Sequence, residues 1–226
     1  MNLDSEPSPT IRPEPRLIDG YKSLATSTIG NVLDDLGLAN IMVNLRPVTR
    51  TRRIVGPAFT VKEESGGYKA YSNADFRLGA VVDGAQRGDV IVIDNGGRQV
   101  STWGGIAAFT AMHRGIEGLV VDGGVRDLDE MDEFGFTAFA RHVLPLSGRT
   151  RVKILSINHP VEVDRVTVCP GDIIIGDSTG IVCVPRAAAE DVLVRSQMLD
   201  RQDKQALEEI RCGLGFTEAL AKFSKL

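Results

Sequence analysis

The stretch Trp103-Gly104-Gly105-Ile106-Ala107-Ala108-Phe109-Thr110-Ala111-Met112-His113-Arg114-Gly115, continued by Gly118-Leu119-Val120-Val121-Asp122-Gly123-Gly124-Val125-Arg126-Asp127-Leu128-Asp129-Glu130, decides the fold. Two glycines open a short apolar helix, and Gly115 closes it. A compact apolar strand follows, of the kind buried on both faces. An arginine and two acids come directly after it. Upstream, Asp89–Asp94 (DVIVID) reads as another such strand. Strand, helix and strand in this order make a parallel crossover unit.

Direction then places the ends. The first strand finishes at its carboxyl edge, so the helix starts there and runs back. The second strand returns and delivers Arg126-Asp127 to the same edge. A helix of roughly ten residues covers ~15 Å, and a strand of about five covers ~16 Å. Gly104-Gly105 and Arg126-Asp127 are therefore expected to face each other across one crevice, where open α/β sheets bind ligands.

The rest of the chain fits around this unit. Helical spacing covers Leu24 to Leu36, Arg53–Lys62 is β-rich, and Ala74–Ala85 reads as a helix. After the unit come a helix ending at Gly135 and a strand, Phe136–Arg141. Residues 151–185 hold short strands divided by Pro160, Pro170-Gly171 and the turn at Asp177–Gly180, with no helical period. A long helix runs from Arg186 to Gly213, and a short one follows. The whole implies a layered mixed α/β domain over residues 17–226. Residues 1–16, with Pro7, Pro9, Pro13 and Pro15, read as an extended or disordered arm.

Composition narrows the function. The 226 residues are 42% hydrophobic and 25% charged, with a net charge of −4. That leaves no basic footprint for nucleic acid. No apolar run is long enough to span a bilayer, and the N-terminus has no apolar signal region. Cys169, Cys183 and Cys212 are too widely spaced for a zinc ribbon or disulfide framework and read as buried or inert thiols. A reducing cytoplasm is the expected location.

The chemistry is expected at the crevice. A helix start offers free amides and positive dipole character, and glycine admits an anion close to the backbone. Arg126 adds a planar fork for a carboxylate. Asp127 and Glu130 share one helix face, and two oxygen ligands suit Mg²⁺ or Mn²⁺, which keep several waters. An anion site beside such a metal suits a 2-oxo acid. The competing reading is a capping box, with Asp127 capping its own helix and Glu130 reaching back. Asp122 reads as a strand-end carboxylate bonded to an amide, and Trp103 as packing. The three histidines lack zinc-site spacing, and no Walker loop or G-x-S-x-G is present.

Gly56–Val61 (GPAFTV), Gly88–Gly97 (GDVIVIDNGG), the opening stretch and Gly171–Pro185 (GDIIIGDSTGIVCVP) together resemble the RraA-like proteins, over roughly residues 20 to 212. That family includes 4-hydroxy-4-methyl-2-oxoglutarate/4-carboxy-4-hydroxy-2-oxoadipate aldolase and oxaloacetate decarboxylase relatives. The resemblance implies a three-layer α/β/β swivelling-domain fold and ring-shaped homotrimers or homohexamers with sites at subunit boundaries. It implies a metal-dependent class II lyase working through a metal-stabilised pyruvate enolate. Asp127 would hold the metal, Arg126 the substrate carboxylate and oxo oxygen, and the amides of Gly104, Gly105, Ile106 and Ala107 the pyruvyl end; Glu130 would assist at the metal, directly or through water. Some aldolases of the family carry an acid where this chain has Gly105. An acid from a neighbour's C-terminal helix, Glu208 or Glu209 here, is a further family feature. The other branch of the family implies a regulator that binds and inhibits RNase E.

Overall fold

The computed structural model describes residues 12–223, and residues 1–11 of the arm expected at 1–16 lie outside them. In chain order come α1 (Pro15–Tyr21), α2 (Thr26–Asp35), β1 (Ile41–Met42), β2 (Arg46–Pro47), β3 (Ile54–Ser65), α3 (Leu78–Gly84), β4 (Val90–Asp94), β5 (Ser101–Trp103), α4 (Gly105–Arg114), β6 (Gly118–Val125), α5 (Leu128–Phe134) and β7 (Ala138–Val143). Then follow β8 (Val152–Ile157), β9 (Val161–Val163), β10 (Val166–Val168), β11 (Ile173–Gly176), β12 (Ile181–Val184), α6 (Ala189–Arg211) and α7 (Phe216–Lys222).

One long mixed sheet runs β1-β12-β11-β3-β4-β6-β7-β2, with β8 beside β3 and β5 beside β6. The β3-β4-β6-β7 stretch is parallel, as crossover helices demand, and β11-β12 is an antiparallel hairpin. Strand alternation sorts the side chains into layers. Ile91, Ile93, Leu119 and Val121 point to α3–α5 and meet Ala108, Ala111 and Met131. Their alternates Val90, Val92 and Val120, with Phe139, meet Ile174, Ile181 and Cys183 from the antiparallel half and Val163 and Val166 from the β9-β10 hairpin. The sheet therefore folds back on itself. A Cβ on Gly176 would stand 2.8 Å from the Phe139 ring, so glycine lets the two sheet layers close. The outer face of the antiparallel half, Ile173, Ile175, Val182 and Val184, is covered by α1, α2 and α6 through Tyr21, Ile29, Leu33 and Val192. The order is helices, sheet and sheet, with the terminal helices outside.

Two expectations need correction. The arm does not extend to residue 16: Pro15 opens α1, where its missing N–H costs nothing, and Arg12 is already tied to Asp89 at 2.7 Å. The helix expected over 74–85 is Leu78–Gly84, because residues before it form turns. Of the three cysteines only Cys183 is buried. A short strand, β5, lies between β4 and α4. No helix among the described residues is long and apolar enough to cross a membrane.

Candidate active site

The crossover unit brings its two ends together as chain direction requires. β5 pairs in parallel with the end of β6, Trp103 beside Val125, and the Arg126 amide donates to the Trp103 carbonyl at 3.0 Å. That pairing sets Gly104, the residue before α4, against Arg126-Asp127. The sequence signal for β5 was present in Val100-Ser101-Thr102-Trp103, rich in β-branched and aromatic residues. Trp103 packs, as expected, stacked on Phe136 with 1% exposure.

The Gly105 amide donates to Asp127 Oδ2 at 3.1 Å. Arg126 Nε lies 3.5 Å from the same oxygen, a partly exposed ion pair worth about 0–1 kcal/mol. A Cβ on Gly104 would stand 2.5 Å from Asp127 Oδ2, and one on Gly105 1.6 Å from Glu130 Oε2. Side chains at either position would evict these carboxylates. All five residues line one cavity of about 430 Å³, together with Ile106 and Ala107, within the range of small-molecule sites.

The capping box is not formed. Asp127 stands at the N-cap of α5 in left-handed conformation (φ 60°, ψ 42°), and its side chain makes no bond to that helix. Its carboxylate caps α4 instead. Glu130 does not reach back to Asp127 either; it lies over Gly105. Of the four amides expected to form a cradle, one has an internal acceptor. The Gly105 N–H is already taken by Asp127, and the Ala108 N–H bonds to the Gly104 carbonyl at 3.0 Å. Helix geometry leaves the amides of Ile106 and Ala107 without intrahelical acceptors. These two amides and the Arg126 side chain border the cavity.

A third side of the cavity was not assigned from sequence. Leu78, Gly79, Val82 and Asp83 of α3 line it opposite the β6–α5 turn. Successive right-handed crossovers put α3 and α4 on the same sheet face as neighbours, so this wall was derivable. Its signal is topological, not a motif.

Asp122 is bonded as expected, accepting from the Asp164 amide at 3.0 Å, and also pairs with Arg141 at 2.5 Å. Arg141 joins Asp164 as well, at 2.7 Å, so this carboxylate belongs to a structural network. Glu208 and Glu209 on α6 pair with Arg211 and Lys222.

A divalent cation fits the donor set. Asp127, Glu130 and Asp83 line the cavity with Arg126 as the one basic side chain among them, and two carboxylates with room for waters suffice for Mg²⁺ or Mn²⁺. No group of three or more His, Cys, Asp or Glu side chains placed to hold a metal occurs among the described residues, so any ion here keeps much of its hydration.

This fold and this paired-end crevice define a class, and comparison with known proteins gives it a family. The chain belongs to the RraA-like family, described as Aldolase/RraA, which matches residues 26–183. A Halalkalibacterium halodurans protein with the provisional name 4-hydroxy-4-methyl-2-oxoglutarate aldolase is 32% identical over 197 residues, covering 86% of each chain. Protein DlpA of Legionella pneumophila is 26% identical over 209 residues; that match takes in 91% of this chain but 33% of DlpA, so this chain spans about a third of DlpA's length. The crystal structure of an uncharacterized protein from Pseudomonas syringae pv. tomato superposes with a TM-score of 0.82 at 27% identity, over 92% of this chain and 98% of that one. Streptomyces coelicolor RraAS2, described as an unusual member of the RNase ES inhibitor RraA protein family, gives a TM-score of 0.75 over 89% of this chain and 99% of its own. At 22% identity that likeness is one of fold.

Proposed function

We propose that the chain is a divalent-metal-dependent lyase that cleaves a C–C bond of 4-hydroxy-2-oxo acids and releases pyruvate. The observation that carries this reading is the 3.1 Å bond that sets Asp127, and with it Arg126, against the start of α4. Asp127, with Glu130 beside it, would hold Mg²⁺ or Mn²⁺, which supplies Lewis-acid polarisation of the 2-oxo group. Arg126 and the amides of Ile106 and Ala107 bind the substrate carboxylate and fix the pyruvyl end. The same guanidinium stabilises negative charge as it develops on the oxo oxygen in the enolate. Decarboxylation of oxaloacetate passes through the same enolate, so one site serves both reactions. Gly105 carries no acid. Glu130 places a carboxylate over that position from α5.

A pyruvate-coupled assay tests the reading. Pyruvate release should require Mg²⁺ or Mn²⁺, stop with EDTA, and be abolished in Asp127→Ala. Wild-type turnover in Asp127→Ala overturns it. Ile106, 86% exposed on the cavity rim, supports a neighbouring subunit there, in line with a homotrimer or homohexamer, and light scattering gives the mass. The second reading, a ribonuclease-binding regulator, draws on the solved RNase ES inhibitor relative. Retention of RNase E in a pull-down, with no metal-dependent turnover of any 2-oxo acid, would favour it.

A further inference from the structure

Asp83, Asp127 and Glu130 all line the cavity, but they are held differently. Asp127 accepts from the Gly105 N–H at 3.1 Å and has Arg126 Nε at 3.5 Å. Asp83, on the α3 side, is paired with Arg114 at 3.5 Å. Glu130 has no hydrogen bond or ion pair among the described residues. It is the third residue of α5, where a glutamate ordinarily reaches back to the start of its own helix. That start has no side-chain cap. The Glu130 carboxylate instead fills the notch left by the missing side chain of Gly105. A Cβ there would stand 1.6 Å from Oε2 and 2.7 Å from Cδ. An unbonded carboxylate is thereby set beside the first turn of α4, one residue from the Ile106 amide.

That place suits a proton acceptor. In the lyase reading, Arg126 and the Ile106 and Ala107 amides take the carboxylate and oxo groups, and Asp127 holds the metal. The C4 hydroxyl still needs a base. Asp127 is engaged on both counts, whereas Glu130 keeps an oxygen for the substrate even when it assists the metal through water.

Resting on the lyase reading above, we propose that Glu130 is the group that accepts the proton of the substrate's C4 hydroxyl. The step balances without a redox partner. The O–H proton passes to the Glu130 carboxylate, the C4 oxygen becomes a carbonyl, and the C3–C4 bond breaks. Its electron pair passes to C3 as the enolate. The proton on Glu130 then returns to C3, giving pyruvate and a regenerated carboxylate.

The test compares two reactions that share the enolate. Oxaloacetate has no C4 hydroxyl; its C4 leaves as carbon dioxide, and the enolate takes its proton from solvent. Glu130→Gln keeps the shape of an exposed, unpartnered side chain, so the variant should fold. It should lower kcat for cleavage of 4-hydroxy-4-methyl-2-oxoglutarate at least about 100-fold more than kcat for oxaloacetate, counted above the protein-free rate. Pyruvate binding in Mg²⁺, read by calorimetry without turnover, should weaken by no more than about tenfold. Gly105→Ala displaces the same carboxylate sterically and should shift the ratio of the two reactions in the same direction. Asp129→Asn, next door on α5 but outside the cavity, should leave it unchanged. Equal losses in both reactions, or a cleavage loss no larger than the binding loss, overturn the role of Glu130 and leave the lyase reading intact. Wild-type protein that turns over neither compound removes both.

Discussion

Gly104→Ala should lose stability and Gly105→Ala should not, although the residues are neighbours. At Gly104 the backbone is extended (φ −153°), which any residue adopts. The added Cβ, however, would stand 2.5 Å from Asp127 Oδ2 and 3.2 Å from Arg126 Nε. The carboxylate must withdraw, and the Gly105 N–H loses its acceptor. A hydrogen bond to a charged group contributes about 1.5–3 kcal/mol, and the partial exposure of Asp127 argues for the low end. Alanine is also a poorer N-cap than glycine. A loss of about 1.5 kcal/mol follows, or roughly 3–6 °C in Tm for a chain of this size. Gly105 is the first residue of α4. Alanine there is favoured by up to about 1 kcal/mol; against this, the far end of the exposed Glu130 side chain must swing out, and the Glu130 Cβ at 3.2 Å must give by a few tenths of an ångström. Gly105→Ala should therefore leave Tm unchanged or raise it by up to roughly 4 °C. Both variants should bind pyruvate in Mg²⁺ at least about tenfold more weakly, since each evicts a carboxylate from the cavity. Thermal melts by circular dichroism and calorimetric titration read the two effects separately. If Gly105→Ala loses as much stability as Gly104→Ala, or binds pyruvate like wild type, the account of the Glu130–Gly105 contact is wrong.

Two further predictions concern groups behind the site. Glu63 is 3% exposed with neither carboxylate oxygen hydrogen-bonded; burial, and then the charge of Asp94, push its pKa well above the usual range. A raised folded pKa means full stability only below the unfolded value of about 4.3, with progressive loss as pH rises toward the folded value. Glu63→Gln should therefore gain Tm over wild type increasingly from pH 5 to pH 8, and parallel profiles would refute this. Arg141 is the shared partner of Asp122 and Asp164, which are 5% and 8% exposed. Arg141→Met leaves both without it and should cost about 3–5 kcal/mol in urea denaturation; a loss under about 1 kcal/mol would show the network to be replaceable.

The elements with strong period and clean ends were legible in the sequence, and so was the crevice. α4 had Gly104 and Gly115 at its borders, and β4 and β6 were continuous apolar runs, so strand direction alone put Gly105 beside Asp127. What stayed illegible depended on distant partners. β1 and β2 are pairs of residues that become strands through β12 and β7. The start of α3 was misplaced because residues 74–77 have helical composition but lie in a turn and the irregular stretch after it, with the Asp75 carbonyl accepting from the Ile154 amide. The destination of Asp127's carboxylate was misread for the same reason. Asp-x-x-Glu before an apolar run is a local capping signal, and the competitor was an amide 22 residues upstream.

That competition separates structure from function at Asp127. An N-cap residue ordinarily sits in extended conformation, where its side chain reaches the amides of its own helix. Here the residue is left-handed, and α5 starts without a side-chain cap. Forgoing that cap costs about 1 kcal/mol, and a non-glycine left-handed residue costs on the order of another. Stability alone would be served better by glycine at 127 or by an extended serine. The left-handed turn instead swings the carboxylate across to α4, whose own N-cap, Gly104, has no side chain to offer. Asp127 thus closes the helix that Gly104 leaves open while still lining the cavity. An anion arriving at the Ile106 and Ala107 amides need not displace it, since its bond is to Gly105. Under the lyase reading proposed above, anion donors and cation ligands would then be filled together at one helix start, as a metal-assisted reaction of a 2-oxo acid requires.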